Sequence, residues 1–139
     1  MDTNEEIIGR SAAVLTPNYL PQPVAIVRGE GCHVFDADGR RYLDMMGGIA
    51  TAVLGHGHPA VRAALADQAD KIWHISNLYV SQPQAELAER LTRLCFAERA
   101  FFCNSGAEAN EAALKLARRY AHDRGEKRFE ILAFDGAFH

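Results

Sequence analysis

The sequence predicts an α/β chain, with a β-rich N-terminal segment leading into the start of a larger domain built on a parallel or mixed sheet. Three observations carry this prediction. Between Cys32 and Met45, apolar residues flank an Asp38-Gly39 pair in the pattern of a two-stranded hairpin. From Pro59 onward the apolar spacing lengthens to that of helices. Two short, mainly apolar runs, Ala100 to Cys103 and Phe129 to Phe134, bracket the third of those helices, as the strands of a right-handed parallel crossover do.

Each element follows from local chemistry. Residues 4 to 15 suit a short helix, which Pro17, Pro21 and Pro23 prevent from continuing. Val24 to Arg28 reads as a strand, and Cys32 to Asp36 and Arg40 to Met45 as the two arms of the hairpin. At Gly47 the composition changes: Gly47, Gly48, Gly55, Gly57 and Pro59 mark a loop. We therefore divide the chain into residues 1–46 and 47–139. Pro59 to Trp73 carries Val61, Leu65, Ala69 and Ile72 on one helical face. Pro83 to Phe96 carries Leu87, Leu91, Leu94 and Cys95, a stripe expected to be buried, and Pro83 fits a first turn. The third helix repeats Ala109, Ala112, Ala113, Leu116, Ala117 and Tyr120, and stops near Gly125. The final strand is followed directly by Ala137-Phe138-His139, so the chain reads as the N-terminal portion of a longer protein.

Composition narrows the function. The 139 residues carry a net charge of −3, which supplies no general attraction to nucleic acid or an anionic membrane. Met45 to Gly55 is Gly-rich and much shorter than the ~20 apolar residues of a spanning helix. The acidic N-terminus lacks the basic region of a signal peptide. Cys32, Cys95 and Cys103 are odd in number and lack CxxC spacing, which suits free thiols in a reducing, cytoplasmic setting. His56-Gly57-His58 has no third ligand at convincing spacing, so it reads as a structural loop and no metal site is expected. Lys115, Arg118, Arg119, Arg124, Lys127 and Arg128 read as a solvated helix face.

The sharpest local feature is Asn104-Ser-Gly-Ala-Glu-Ala-Asn-Glu111, placed where a strand turns into a helix. The first N–H groups of a helix lack intrahelical partners and carry partial positive charge, which suits a phosphate. Gly106 permits close approach and Ser105 offers a hydroxyl. Ser105-x-x-Glu108 is equally a capping box that needs no ligand, and Glu108 would repel a phosphate unless it turned back to the cap. Both readings stay open on the octapeptide alone. Residues beyond the carboxyl end of the next strand, Phe138 among them, would face the same anion site. An aromatic face there suits a flat cofactor carrying a phosphate.

Taken together, the motifs are more specific than any one of them. They comprise Gly29-Glu-Gly-Cys-His-Val-Phe-Asp-Ala-Asp-Gly39, Tyr42-Leu-Asp44, Gly47-Gly-Ile-Ala50, Leu54-Gly-His-Gly-His-Pro59, Trp73-His-Ile-Ser-Asn77 and Phe96-Ala-Glu-Arg99, followed by the octapeptide, Leu114-Lys-Leu-Ala-Arg118 and Ala137-Phe-His139. In this order, from Pro17 to His139, the chain resembles the N-terminal portion of the class III pyridoxal-phosphate aminotransferases, which have the fold type I architecture. The resemblance implies that residues 1–46 contribute to the small domain and 47–139 begin the large, pyridoxal 5'-phosphate-binding domain. It implies cofactor contacts from Ser105, Gly106 and Ala107, with Phe138 stacking on the ring. Ala107 stands where the family commonly has Thr, so one hydroxyl is missing. Glu111 would hold the cofactor edge. Gly47 to Ala50 and Trp73 to Asn77 would lie near the active site and the interface of a homodimer.

The implied activity is transamination of N-acetylornithine, or of succinyl-diaminopimelate, with 2-oxoglutarate, in arginine or lysine biosynthesis. Ile49 stands where a related ornithine enzyme carries a Tyr that meets the substrate's free amine. An apolar residue there suits an acylated amine, because a buried ammonium needs a partner. The family's substrate-carboxylate Arg would lie just past His139, and its ring-nitrogen Asp and cofactor-bound Lys much later. None of Lys71, Lys115 and Lys127 has the matching context, so no catalytic residue is expected in this chain. The competing reading is a phosphate- or nucleotide-binding α/β module. It would be favoured by a G-x-G-x-x-G or Walker pattern, and neither occurs.

Overall fold

The structure, a computed structural model, describes residues 2–138. His139 lies outside the described residues. The chain divides into two compact units, Met1–Ile75 and Ser76–His139.

The first unit begins with α1 (Asn4–Val14). Thr3 caps it by accepting the Glu6 N–H, and the Glu6 carboxylate returns to the Thr3 N–H at 2.8 Å, a complete capping box. Glu5 and Glu6 place negative charge at the positive end of the helix. An antiparallel sheet of order β1-β2-β3 follows, formed by β1 (Ile26–Glu30), β2 (His33–Asp36) and β3 (Arg41–Leu43). Gly29 pairs with Val34, and Val34 with Tyr42. The first strand lies slightly later than its composition predicts, and an irregularity between Ile26 and Arg28 shifts its register.

Asp36 is the buried polar centre of this unit, 2% exposed. One carboxylate oxygen accepts the N–H groups of Asp38 and Arg40 at 3.0 and 2.8 Å. The other accepts the Tyr42 hydroxyl at 2.7 Å and the Asn4 side-chain amide at 2.8 Å. Asn4 also accepts the Ala25 N–H at 2.9 Å, so one side chain ties the start of α1 to both the sheet and the strand approach. Burial pushes the Asp36 carboxyl up, but the four donors, Tyr42 foremost, outweigh it and hold the group below its ordinary range.

The predicted loop at Gly47 contains a short helix, α2 (Gly47–Ala50), and this turn is left-handed. The φ angles of Gly47, Gly48, Ile49 and Ala50 are 53°, 62°, 56° and 60°. Next comes α3 (Pro59–Lys71), with Pro59 in its first turn. The Trp73 indole N–H donates to the Ala69 carbonyl at 2.7 Å, satisfying one open acceptor at its C-terminal end.

In the second unit, α4 (Gln82–Leu94) has Pro83 in its first turn as the sequence predicts, and α5 (Gly106–Asp123) ends just before Gly125. The two flanking strands do not form: 100–103 and 129–134 have no ladder among the described residues. A parallel strand needs a hydrogen-bonding neighbour and cover on both faces, and nothing described here supplies either. Phe129 and Phe134 are accordingly exposed, and so is Cys103, whose thiol rests 3.4 Å from the Ser105 carbonyl. The helical stripes occur at their predicted spacing but lie open. On α4, Leu87, Leu91 and Leu94 all remain exposed rather than buried. Among the described residues, only Ala121 and Asp36 are buried.

Candidate functional site

The turn entering α5 is built by its own side chains. Ser105 occupies the N-cap with extended backbone (φ −152°, ψ 162°), and its hydroxyl oxygen accepts the Glu108 N–H at 3.2 Å. Glu108 turns back, and its carboxylate accepts the Asn104 N–H at 2.6 Å. This removes the objection that a carboxylate would face the phosphate, because its charge is spent behind the cap. The N–H groups of Gly106 and Ala107, the first two of the helix, have no intrahelical acceptor by their position. The Ser105 hydroxyl accepts one bond and keeps its own proton to donate. Two backbone donors, one hydroxyl and the positive end of a helix of 18 residues form a donor set that fits a phosphate.

The other expected site residues are placed as follows. Phe138 belongs to the same unit as this turn and is exposed. Ile49 belongs to the first unit and stands on the left-handed turn, 82% exposed. Glu111 is engaged by Lys115 at 2.8 Å on the open face of α5. The Lys115 hydrogen bond and charge hold its carboxyl below the usual range. Lys115 is thus a surface partner one helical turn on. Arg119 sits against Asp123 on the solvated face of α5, whereas Arg124 and Arg128, expected on the same helix face, lie beyond its end and sit against Glu126.

Sequence reasoning missed the pair that holds α2. The Asp44 carboxylate accepts the N–H groups of Met46 and Gly47 through one oxygen, at 3.0 and 2.9 Å. Its other oxygen lies 2.7 Å from His56 Nε2. His56, Gly47 and Met46, in that order of weight, keep the Asp44 carboxyl below its ordinary range. His56 is itself fixed by a two-way backbone bridge with Gly31, at 2.8 and 2.9 Å. Its ring lies against Gly29, where any Cβ would come within 2.5 Å of His56 Cγ. The signal was legible in part: Asp favours an Asx turn, in which its carboxylate accepts the N–H two residues on, here that of Met46. The His56-Gly57-His58 loop thus serves the fold. Among the described residues, no three His, Cys, Asp or Glu side chains gather into a metal-binding group. No helix among them is long and apolar enough to cross a membrane.

Comparison with known proteins extends this picture. The family profile described as aminotransferase class III matches residues 14–139. A succinylornithine transaminase of Salmonella typhimurium is 56% identical over 126 residues, 90% of this chain and 31% of that protein. An acetylornithine aminotransferase of Myxococcus xanthus is 51% identical over 138 residues, 99% of this chain and 34% of that protein. The crystal structure of acetylornithine aminotransferase from Elizabethkingia anophelis superposes with a TM-score of 0.85 at 32% identity, covering 93% of this chain and 34% of that one. The chain spans about a third of the length of the curated relatives it matches.

Proposed function

Because this chain belongs to the class III aminotransferase family, we propose that it supplies the phosphate cradle of a pyridoxal 5'-phosphate-dependent transaminase. The observation that carries the reading is the self-capped turn at α5, which leaves the Gly106 and Ala107 N–H groups and the Ser105 proton available to an anion. Held there, the cofactor would supply the electron sink that moving an amino group to a 2-oxo acid requires. The chain's own part is to bind and orient. Ser105, Gly106 and Ala107 would hold the phosphate, and Phe138 would stack on the ring. Glu108 contributes indirectly, by keeping the cap closed and its own charge away from the anion.

The substrate class follows from Ile49. An apolar side chain cannot compensate a buried ammonium, so the distal nitrogen it meets is acylated. N-acetylornithine with 2-oxoglutarate is the favoured pair, and succinyl-diaminopimelate shares the required chemistry. Two relatives bearing the names of N-acylornithine transaminases support this choice. Exposed apolar residues such as Met45, Trp73 and Phe96 suit a homodimer, and the free thiols suit the cytoplasm. The deciding measurement is kcat/KM of the full-length protein for N-acetylornithine and for free ornithine. The acylated substrate is expected to win by at least ~100-fold, the cost of burying an unpaired charge being several kcal/mol. A preference for free ornithine overturns the assignment.

A further inference from the structure

We propose that His56, acting through Asp44, is a positioning residue that sets the left-handed turn carrying Ile49. This rests on the reading of Ile49 as the residue facing the acylated end of the substrate. Left-handed backbone is unfavourable for any residue with a Cβ, and most so for a β-branched one. Ile49 and Ala50 both adopt it, at φ 56° and 60°. Such a turn persists only where surrounding contacts over-determine it.

Most of those contacts trace to Asp44; the Thr51 hydroxyl adds one of its own by donating to the Gly48 carbonyl at 2.8 Å. Asp44 holds the N–H groups of Met46 and Gly47 at the entrance to the turn. Inside the turn, the Ala50 N–H reaches the Met46 carbonyl at 3.0 Å. At the exit, the Thr51 and Ala52 N–H groups both reach the Gly47 carbonyl, at 2.9 and 2.7 Å. Each of these backbone bonds ends on the carbonyl of Met46 or Gly47, the two residues whose N–H groups Asp44 holds. Asp44 has two oxygens, and the one not used by the turn is held by His56. His56 can hold it because its backbone is bridged to Gly31 and its ring is seated on Gly29. The sheet edge, the imidazole, the carboxylate and the turn thus form one chain of contacts. Its last member is a side chain 82% exposed.

The test uses the full-length holoenzyme and three variants. His56→Ala removes the donor, His56→Gln keeps a side-chain amide able to reach Asp44, and Ile49→Ala removes the presented side chain. Hydrogen exchange of the 46–52 amides and steady-state kinetics with N-acetylornithine are read together. In His56→Ala, exchange over 46–52 should accelerate about tenfold or more, while the amides of β1 to β3 stay protected. KM should rise about five- to tenfold with kcat within about twofold, because ground-state and transition-state binding of the distal group are lost equally. His56→Gln should restore both. Unchanged exchange over 46–52 overturns the proposal, as does accelerated exchange with an unaltered KM. A merely structural role is revealed if exchange rises across the whole sheet and kcat falls with it. If Ile49→Ala raises KM and His56→Ala does not, only the positioning role fails. If Ile49→Ala itself leaves KM unchanged, the substrate-facing reading of Ile49 is what fails, and the positioning role goes with it.

Discussion

At the cradle, Gly106 and Ala107 differ in what a side chain would do. If the phosphate is held against the backbone there, a branched side chain at Gly106 obstructs the anion, whereas a hydroxyl at Ala107 adds a donor. In the full-length protein, Gly106→Val should weaken pyridoxal 5'-phosphate binding by on the order of tenfold or more. Ala107→Thr should leave affinity unchanged or raise it by up to about tenfold, since one bond to a charged acceptor contributes ~1.5–3 kcal/mol before ordering costs. Titrating the apo-protein with cofactor by absorbance separates the two. Equal affinity for Gly106→Val and the parent would mean that the turn is a cap and nothing more. Asp36 provides a second test. Its carboxyl is held below its ordinary range, so it stabilises the fold above the unfolded-state value of ~3.9 and stops doing so as pH falls through the folded value. Asp36→Asn sets an amide nitrogen against the Asn4 amide, donor against donor. The variant should have a lower Tm at pH 7 and a flatter decline of Tm in acid. An unchanged Tm would show that the four donors to Asp36 contribute nothing net.

The elements separate by the range of the forces that make them. α3, α4 and α5 are each announced by apolar spacing, and α4 and α5 also by a local start signal, Pro83 and Ser105; the Thr3 cap of α1 appears only in the structure. The hairpin of β2 and β3 is announced by Asp38-Gly39. The runs at 100–103 and 129–134 have strand composition without strands, because among the described residues neither has a ladder partner. Amide exchange should report this directly. In the 139-residue chain, amides of 100–103 and 129–134 should exchange nearly as fast as in an unfolded peptide. In the full-length protein they should be protected by several orders of magnitude, as core strands are. Fast exchange in both would remove the parallel sheet from the account.

For the whole molecule, the decisive fact is how little of an apolar chain is covered. With 48% hydrophobic residues, it buries only Ala121 and Asp36 among the described residues. Trp73 and Phe96 are 87% and 101% exposed. Apolar surface on this scale marks interfaces or invites aggregation. The isolated 139-residue chain should therefore bind a hydrophobic dye strongly and self-associate in sizing experiments. It should also show no turnover of N-acetylornithine. A monodisperse, dye-silent monomer would contradict the first expectation, and measurable transamination by the purified chain the second.

What the sequence determined by itself was whatever depends on neighbours along the chain: the helix starts, the hairpin, the cap at Ser105, and a motif order specific enough to point to the family. These are decided by contacts a few residues apart, so they leave a local pattern. Three things only the tertiary structure decided. Glu108 resolves the conflict at the cradle by turning to Asn104, a geometry that composition leaves open. Asn4 reaches across 32 residues to Asp36 and anchors α1. His56 reaches back 12 residues to Asp44 and stabilises a left-handed turn that the local preference of Ile49 opposes. Long-range polar contacts leave no periodicity, and where they override local backbone preference the sequence argues for the wrong conformation.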